Sequence, residues 1–243
     1  MAAVDAPGAA GPRDPAPVVA IDGPSGSGKG TLAAALARRL RFHYLDSGAL
    51  YRIVARAGLA AGIDVADGPA LAGLAERLAI TFELGAADVT VHVDGVDQSA
   101  AIRAESISVA ASQVAALPAV RSALLAVQRA FRKPPGLVAD GRDMGTVVFR
   151  DARLKIFLEA SPESRAERRY NQLKDKDLGV SLRGLLESIR ERDQRDRSRA
   201  VSPLVAAPDA VVIDSTHLSI DAVFDVVWRH VVAARIGTRS SGD

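Results

Sequence analysis

The stretch Gly23-Pro24-Ser25-Gly26-Ser27-Gly28-Lys29-Gly30-Thr31 lies between the apolar run Val18-Val19-Ala20-Ile21 and a segment carrying Leu32, Leu36 and Leu40 at fourfold spacing. A short apolar run closing on Asp22 reads as a buried parallel strand, covered on both faces. The leucine spacing draws one apolar stripe along a helix. Strand, glycine-rich loop and helix form the context in which this pattern binds phosphate. Its glycines permit a tight backbone path that aims several N–H groups at one anion, and the helix N-terminus adds the positive end of its dipole. Lys29 supplies a mobile cation for the β- and γ-phosphates of a nucleoside triphosphate. Gly30 stands where Ser or Thr normally follows the lysine, so Thr31, one place later, is the candidate hydroxyl for a magnesium ion.

Moving outward, further short apolar runs alternate with helical segments. Tyr44-Leu45 ends at Asp46-Ser47-Gly48 and leads into a helical stretch from Ala49 to about Ala61. Ile80 to Leu84 and Val89 to Val93 then read as two strands about a turn, so residues 63 to about 104 are expected to form a small insert. Helical sequence resumes from Glu105 to Phe131, restarted by Pro118. Strands are expected at 136–140, 154–158 and 210–213, with helices from Pro162, from Leu182 to about Arg197 and from Ile220 to about Val232. This order predicts an α/β fold: a five-stranded parallel sheet with helices on both faces, the insert, and a lid at about 165–180. Ligands of such sheets bind beyond the carboxyl ends of the strands, where Asp22-Gly23, Asp46-Ser47, Asp140-Gly141 and Glu159-Ala160 fall. The folded domain is expected over 17–235, between an Ala/Gly/Pro-rich leader at 1–16 and a short tail at 236–243.

Composition narrows the function classes. The 243 residues hold no cysteine, which excludes disulfides and thiolate metal sites, and His43, His92, His217 and His230 lack ligand spacing. No apolar run approaches the roughly 20 residues of a membrane span, and no secretory signal opens the chain, so the expected location is cytoplasmic. Net charge is only +2 despite a pI near 9.1. Between Glu159 and Val201 the basic residues alternate with acidic ones. Such balance suits a phosphate-handling cleft better than a nucleic-acid surface.

Five ordered motifs carry a resemblance. They are Ile21-Asp22-Gly23-Pro24-Ser25-Gly26, Leu45-Asp46-Ser47-Gly48-Ala49-Leu50-Tyr51-Arg52, Ala111-Ser112-Gln113-Val114-Ala115, Asp140-Gly141-Arg142-Asp143-Met144-Gly145-Thr146, and Glu191-Arg192-Asp193 leading to Asp196-Arg197 and Arg199-Ala200. From about Pro17 to Val232 the chain resembles the bacterial cytidylate kinases, a family of nucleoside monophosphate kinases. The resemblance implies transfer of the γ-phosphoryl group of Mg-ATP to CMP or dCMP by a monomer. It implies that Arg52, Arg142 and Arg199 hold the acceptor phosphate, with Ser47 adding a hydrogen bond and Arg192 close by. It further implies a ribose contact for Asp196 and a cytosine-edge site built from Ser112, Arg121 and Asp143. A carboxylate at position 143 would favour the 4-amino group of cytosine over the carbonyl of uracil. Arg165, Arg168 and Arg169 precede the polar stretch Lys174 to Gly179 and are expected to serve ATP from a lid that excludes water.

Some of this follows from the residues alone. On one continuous helix Leu182, Leu185 and Ile189 share a face with Arg192, Asp196 and Arg199, so these charged groups are expected to point inward. A buried ion-pair network would place them the same way. Rival readings are a kinase acting on UMP, AMP or a small acceptor such as shikimate, and an ATP-switched regulatory protein. The latter would need an unbalanced basic surface or an added module, and neither is apparent.

Overall fold

The computed structural model describes residues 15–86, 88–173 and 181–237. In chain order the elements are β1 (Val18–Asp22), α1 (Lys29–Leu40), β2 (His43–Asp46), α2 (Ser47–Ala60), α3 (Gly68–Ala75), β3 (Ile80–Leu84), β4 (Val89–Val93), β5 (Val96–Asp97), α4 (Glu105–Val114), α5 (Pro118–Ala130), β6 (Leu137–Gly141), β7 (Leu154–Glu159), α6 (Pro162–Leu173), α7 (Leu182–Ser198), β8 (Val211–Asp214) and α8 (Ile220–Ala233). A single π-turn, Met144–Val148, follows β6.

Five strands form a parallel sheet in the order β2-β6-β1-β7-β8. Every residue of β1 and β6 is buried, as their unbroken apolar runs require, whereas β8 at the edge alternates. One apolar core joins the sheet to α2, α3, α4 and α5, and a second joins the other face to α1 and α8. The register aligns Asp46 with Asp140, Asp22 with Gly141, and Glu159 with Asp214. Five carboxylates from neighbouring strand ends therefore share one rim with the glycine-rich loop.

The insert holds more than two strands. β3, β4 and β5 make an antiparallel sheet whose first two strands have the expected bounds, but α3 precedes them, capped by the Asp67 carboxylate on the N–H of Ala70. Around Pro118 the chain bends by 101° between α4 and α5. Among the described residues no single helix is long and apolar enough to cross a membrane.

Two boundary expectations and one helix-face expectation need correction. Ile236, assigned to the tail, is buried in the second core with its N–H bonded to the Val231 carbonyl. Ala16, assigned to the leader, accepts a 2.6 Å bond from the Arg132 guanidinium. Leu182 does not join the apolar face of α7: it opens the helix and is exposed, while Leu185 and Ile189 pack on Ala166, Tyr170 and Leu173 of α6. The remaining lid residues, 174–180, the rest of the leader, 1–14, and the tail from 238 lie outside the described residues.

Candidate active site

The loop between β1 and α1 turns on two glycines with distinct reasons. At Gly28, which stands at the N-cap of α1, φ is 93°, a left-handed conformation costly for any residue with a Cβ. At Gly23 a Cβ would lie 2.2 Å from the Leu158 carbonyl oxygen of β7. No side chain caps α1, so its first amides face the cleft without an internal partner. Residues Ser25 to Thr31 line a cleft of about 1000 Å³, wide enough for a nucleotide. Gly23 and Pro24, expected among the ATP contacts, do not line it; they shape the loop from behind, the Pro24 carbonyl accepting from Lys29 Nζ at 3.1 Å.

A second, smaller cavity of about 220 Å³ opens beside the first. Ser47, Arg52, Ser112, Arg121, Arg142, Asp143, Arg192, Asp196 and Arg199 all line it, so the fold gathers every expected acceptor-side residue at one place from α2, α4, α5, the β6 loop and α7. Asp196 links two of its arginines, accepting from Arg142 Nε at 2.8 Å and pairing closely with Arg199. The inward face expected for α7 and the ion-pair network are thus both present. Arg199 lies just past the end of α7 rather than on it, and the pairing turns it inward. Arg195 and Arg197 are exposed. Asp143 pairs closely with Arg121, whose other nitrogen donates to the Ala115 carbonyl at 3.1 Å, and both side chains are buried. Ser112 Oγ and the Nε atoms of Arg52, Arg192 and Arg199 are buried without a hydrogen-bond partner among the described residues. Such groups are costly unless a ligand completes them.

Charge in the cleft shifts its titrating groups. Burial, reinforced by Arg142, lowers Lys29 well below the ordinary lysine value. Burial and the neighbouring Asp46 raise Asp140, which accepts from the Tyr44 hydroxyl at 2.8 Å. Arg192 is lowered to about 10 by burial and by Arg142, and so remains a cation at neutral pH. For Asp196, burial would raise the carboxyl, but Arg142 and Arg199 outweigh it and hold it below the usual range.

Two of the three arginines expected to serve ATP also brace the loop beside the cleft. Arg165, only 2% exposed, is bidentate to Asp193 of α7 at 3.0 and 2.5 Å and donates to the carbonyls of Ala160 and Ser25. Its stem lies against Gly26. Arg168 donates to the Ser215 carbonyl and to that of Ser27. Both support the phosphate loop from its outer side, although they also border the cleft. Arg169 alone reaches across the cleft mouth, pairing with Glu105 of α4 at 3.0 Å.

Sequence reasoning set Asp46 and Asp140 at the ligand end of the sheet but gave them no role, and it missed Asp193 and the Tyr44–Asp140 pairing. Asp46 caps α2 through the N–H of Ala49 and holds Arg52 at 2.8 Å. A carboxylate just before a helix was a legible capping signal. The partners of Asp193 and Asp140 lie 28 and 96 positions away, and no local pattern marks them.

Comparison with known proteins agrees with this geometry. The sequence model of the family described as Cytidylate kinase matches residues 19–233. The chain is 56% identical over 212 residues to a cytidylate kinase of Aeromonas salmonicida (strain A449), covering 87% of this chain and 92% of that protein. It is 56% identical over 216 residues to a cytidylate kinase of Pseudomonas aeruginosa (strain UCBPP-PA14), covering 88% and 94%. A cytidylate kinase of Escherichia coli O1:K1 / APEC matches at 56% over 210 residues, covering 86% and 92%.

Proposed function

Since the chain belongs to the cytidylate kinase family, we propose that it transfers the γ-phosphoryl group of Mg-ATP to CMP or dCMP, giving ADP with CDP or dCDP. One observation carries this reading beyond the family match. The large cleft and the small cavity meet at Lys29, Gly30, Arg52 and Arg192, which border both. Three cations at that seam suit a phosphoryl group passing between two anionic substrates, a reaction whose catalysis is mostly positioning and charge stabilisation.

ATP phosphates would lie on the amides of residues 25–31, with Lys29 turning from the Pro24 carbonyl toward them. The acceptor phosphate would be held by Arg52, Arg142 and Arg199, with Arg192 and Ser47 beside it. Planar guanidinium groups suit such bidentate contacts better than ammonium. Asp196 orients Arg142 and Arg199 and offers a carboxylate to the sugar; Ser112, Arg121 and Asp143 face the base. An acceptor that is already a phosphate anion needs no strong general base. The enzyme is read as a cytoplasmic monomer.

A magnesium ion fits this donor set. It would arrive with ATP, and hard oxygen donors are at hand in the Thr31 hydroxyl on the cleft wall and the Asp140 carboxylate beneath Gly30. Among the described residues no cluster of three or more acidic or histidine groups forms a separate cage. When bound, the ion would neutralise charge on the triphosphate.

Arg142→Ala tests the acceptor assignment. Asp196 keeps Arg199 as partner, so the fold is expected to survive. Loss of a phosphate-binding guanidinium costs about 2–5 kcal/mol, so kcat/KM for CMP is expected to fall on the order of 10² to 10³-fold while KM for ATP stays within a few-fold. Equal losses toward both substrates would contradict the assignment.

A further inference from the structure

Asp22 ends β1 and is 4% exposed, yet among the described residues it makes no ion pair. It lines neither cavity, so it touches neither substrate in the reading above. Its two carboxylate oxygens instead accept the backbone N–H groups of Met144 and Gly145, each at 2.8 Å, from residues more than 120 positions away. Those are the first two amides of the π-turn Met144–Val148.

The residue that should cap this turn is Asp143, which occupies its N-cap position. An aspartate there normally folds back to accept the amides two or three places on, using the very oxygens that a ligand would need. Here the Asp143 side chain makes no capping bond. Its carbonyl accepts from Val147 and Val148, while its carboxylate is turned to Arg121 and the small cavity. Two carboxylates thus divide two tasks: the distant one caps the turn, and the local one faces the ligand. Met144 pins the same turn, its side chain buried beside Gly141.

We infer that Asp22 is a positioning residue for base selection: by capping Met144 and Gly145 it releases Asp143 from that duty and holds the Asp143 carboxylate toward the 4-amino edge of the acceptor base. The inference rests on the cytosine-reading role proposed above for Asp143. Without the Asp22 carboxylate, the orphaned Gly145 amide, two places on and within reach of an N-cap side chain, recruits Asp143, which leaves Arg121 and the base. Asp22→Asn preserves size and one acceptor but sets an amide N–H₂ against the second donor.

Four proteins, wild type, Asp22→Asn, Asp143→Ala and the double variant, are compared for kcat/KM with CMP and with UMP and for KM of ATP. Asp143→Ala is expected to narrow the CMP-over-UMP ratio, Asp22→Asn to narrow it by about tenfold, the scale of one base contact, and the double variant to narrow it no further than Asp143→Ala. KM for ATP is expected to stay within about twofold, a separation that general loosening of β1 and the adjoining phosphate loop would not produce. A narrowed ratio in Asp143→Ala with a wild-type ratio in Asp22→Asn would overturn the role of Asp22 and leave the cytosine reading intact. An unchanged ratio in Asp143→Ala would overturn both. Should Asp22→Asn fail to fold, amide exchange in the wild-type protein decides: Met144 and Gly145 are expected to exchange slowly, more slowly with CMP, and unchanged with ATP, and any other pattern overturns the proposal.

Discussion

Lys29 shows how a single residue in this site is poised. Its ammonium is buried against the Pro24 carbonyl, and burial, reinforced by the like charge of Arg142, lowers its pKa to about 7. Between that value and the ordinary 10.5, the folded protein binds fewer protons than the unfolded chain. Stability from this group therefore rises with pH across that window. Triphosphate favours the ammonium, so ATP binding in mildly alkaline buffer is expected to take up protons. Titration calorimetry in buffers of different ionisation enthalpy reads this directly, and Lys29→Met should abolish the uptake; a buffer-independent heat in the wild type would contradict it. The candidate site was legible at this scale where a residue stands in a local motif, as Ser47, Arg142 and Asp143 do. It was not legible where the meaning of a residue depends on a distant partner. Asp22 reads as a strand end, and only the fold sets its carboxylate under Met144 and Gly145.

Among the elements, α6 and α7 act as a unit. A small apolar cluster of Ala166, Leu173 and Leu185 joins them, and the buried Arg165–Asp193 pair ties both to the loop through the Ser25 carbonyl and to the end of β7 through that of Ala160. This strut links the donor loop to the helix that carries Arg192 and Asp196. Asp193→Ala leaves a guanidinium buried without its counter-charge, a defect that costs about 3–5 kcal/mol. Urea unfolding is expected to show that loss, and a loss below about 1 kcal/mol would contradict the strut. Element bounds were legible where period or caps are strong. β3 and β4 alternate cleanly, and Pro118 restarts α5. α3 escaped because Gly68, Pro69 and Gly73 weaken its helical pattern, although Asp67 followed by Pro69 is a helix-start signal. Arg165 and Arg168 were expected at the ATP site, but their ties to Asp193 and to the carbonyls of Ser25, Ser27 and Ser215 were not legible, because a charged helix next to a polar loop reads as solvated until its burial is known.

At the scale of the molecule, apolar strands alternating with helices foretold a parallel sheet, because only strands covered on both faces carry unbroken apolar runs. The strand order β2-β6-β1-β7-β8 was not legible, since it depends on pairings between β1 and strands more than a hundred residues away. That order is what lays the ends of β2, β6 and β1 side by side and brings the phosphate loop against the pocket of arginines. Two adjoining cavities with shared cations between them are the structural statement of a two-substrate phosphoryl transfer. The central claim is tested by incubating the protein with Mg-ATP and CMP, dCMP, UMP, AMP or no acceptor at equal concentrations and identifying the nucleotides formed. CDP and dCDP as the dominant products, matched one to one by ADP, are the expected result; ADP formation indifferent to the acceptor, or a different preferred acceptor, would contradict it.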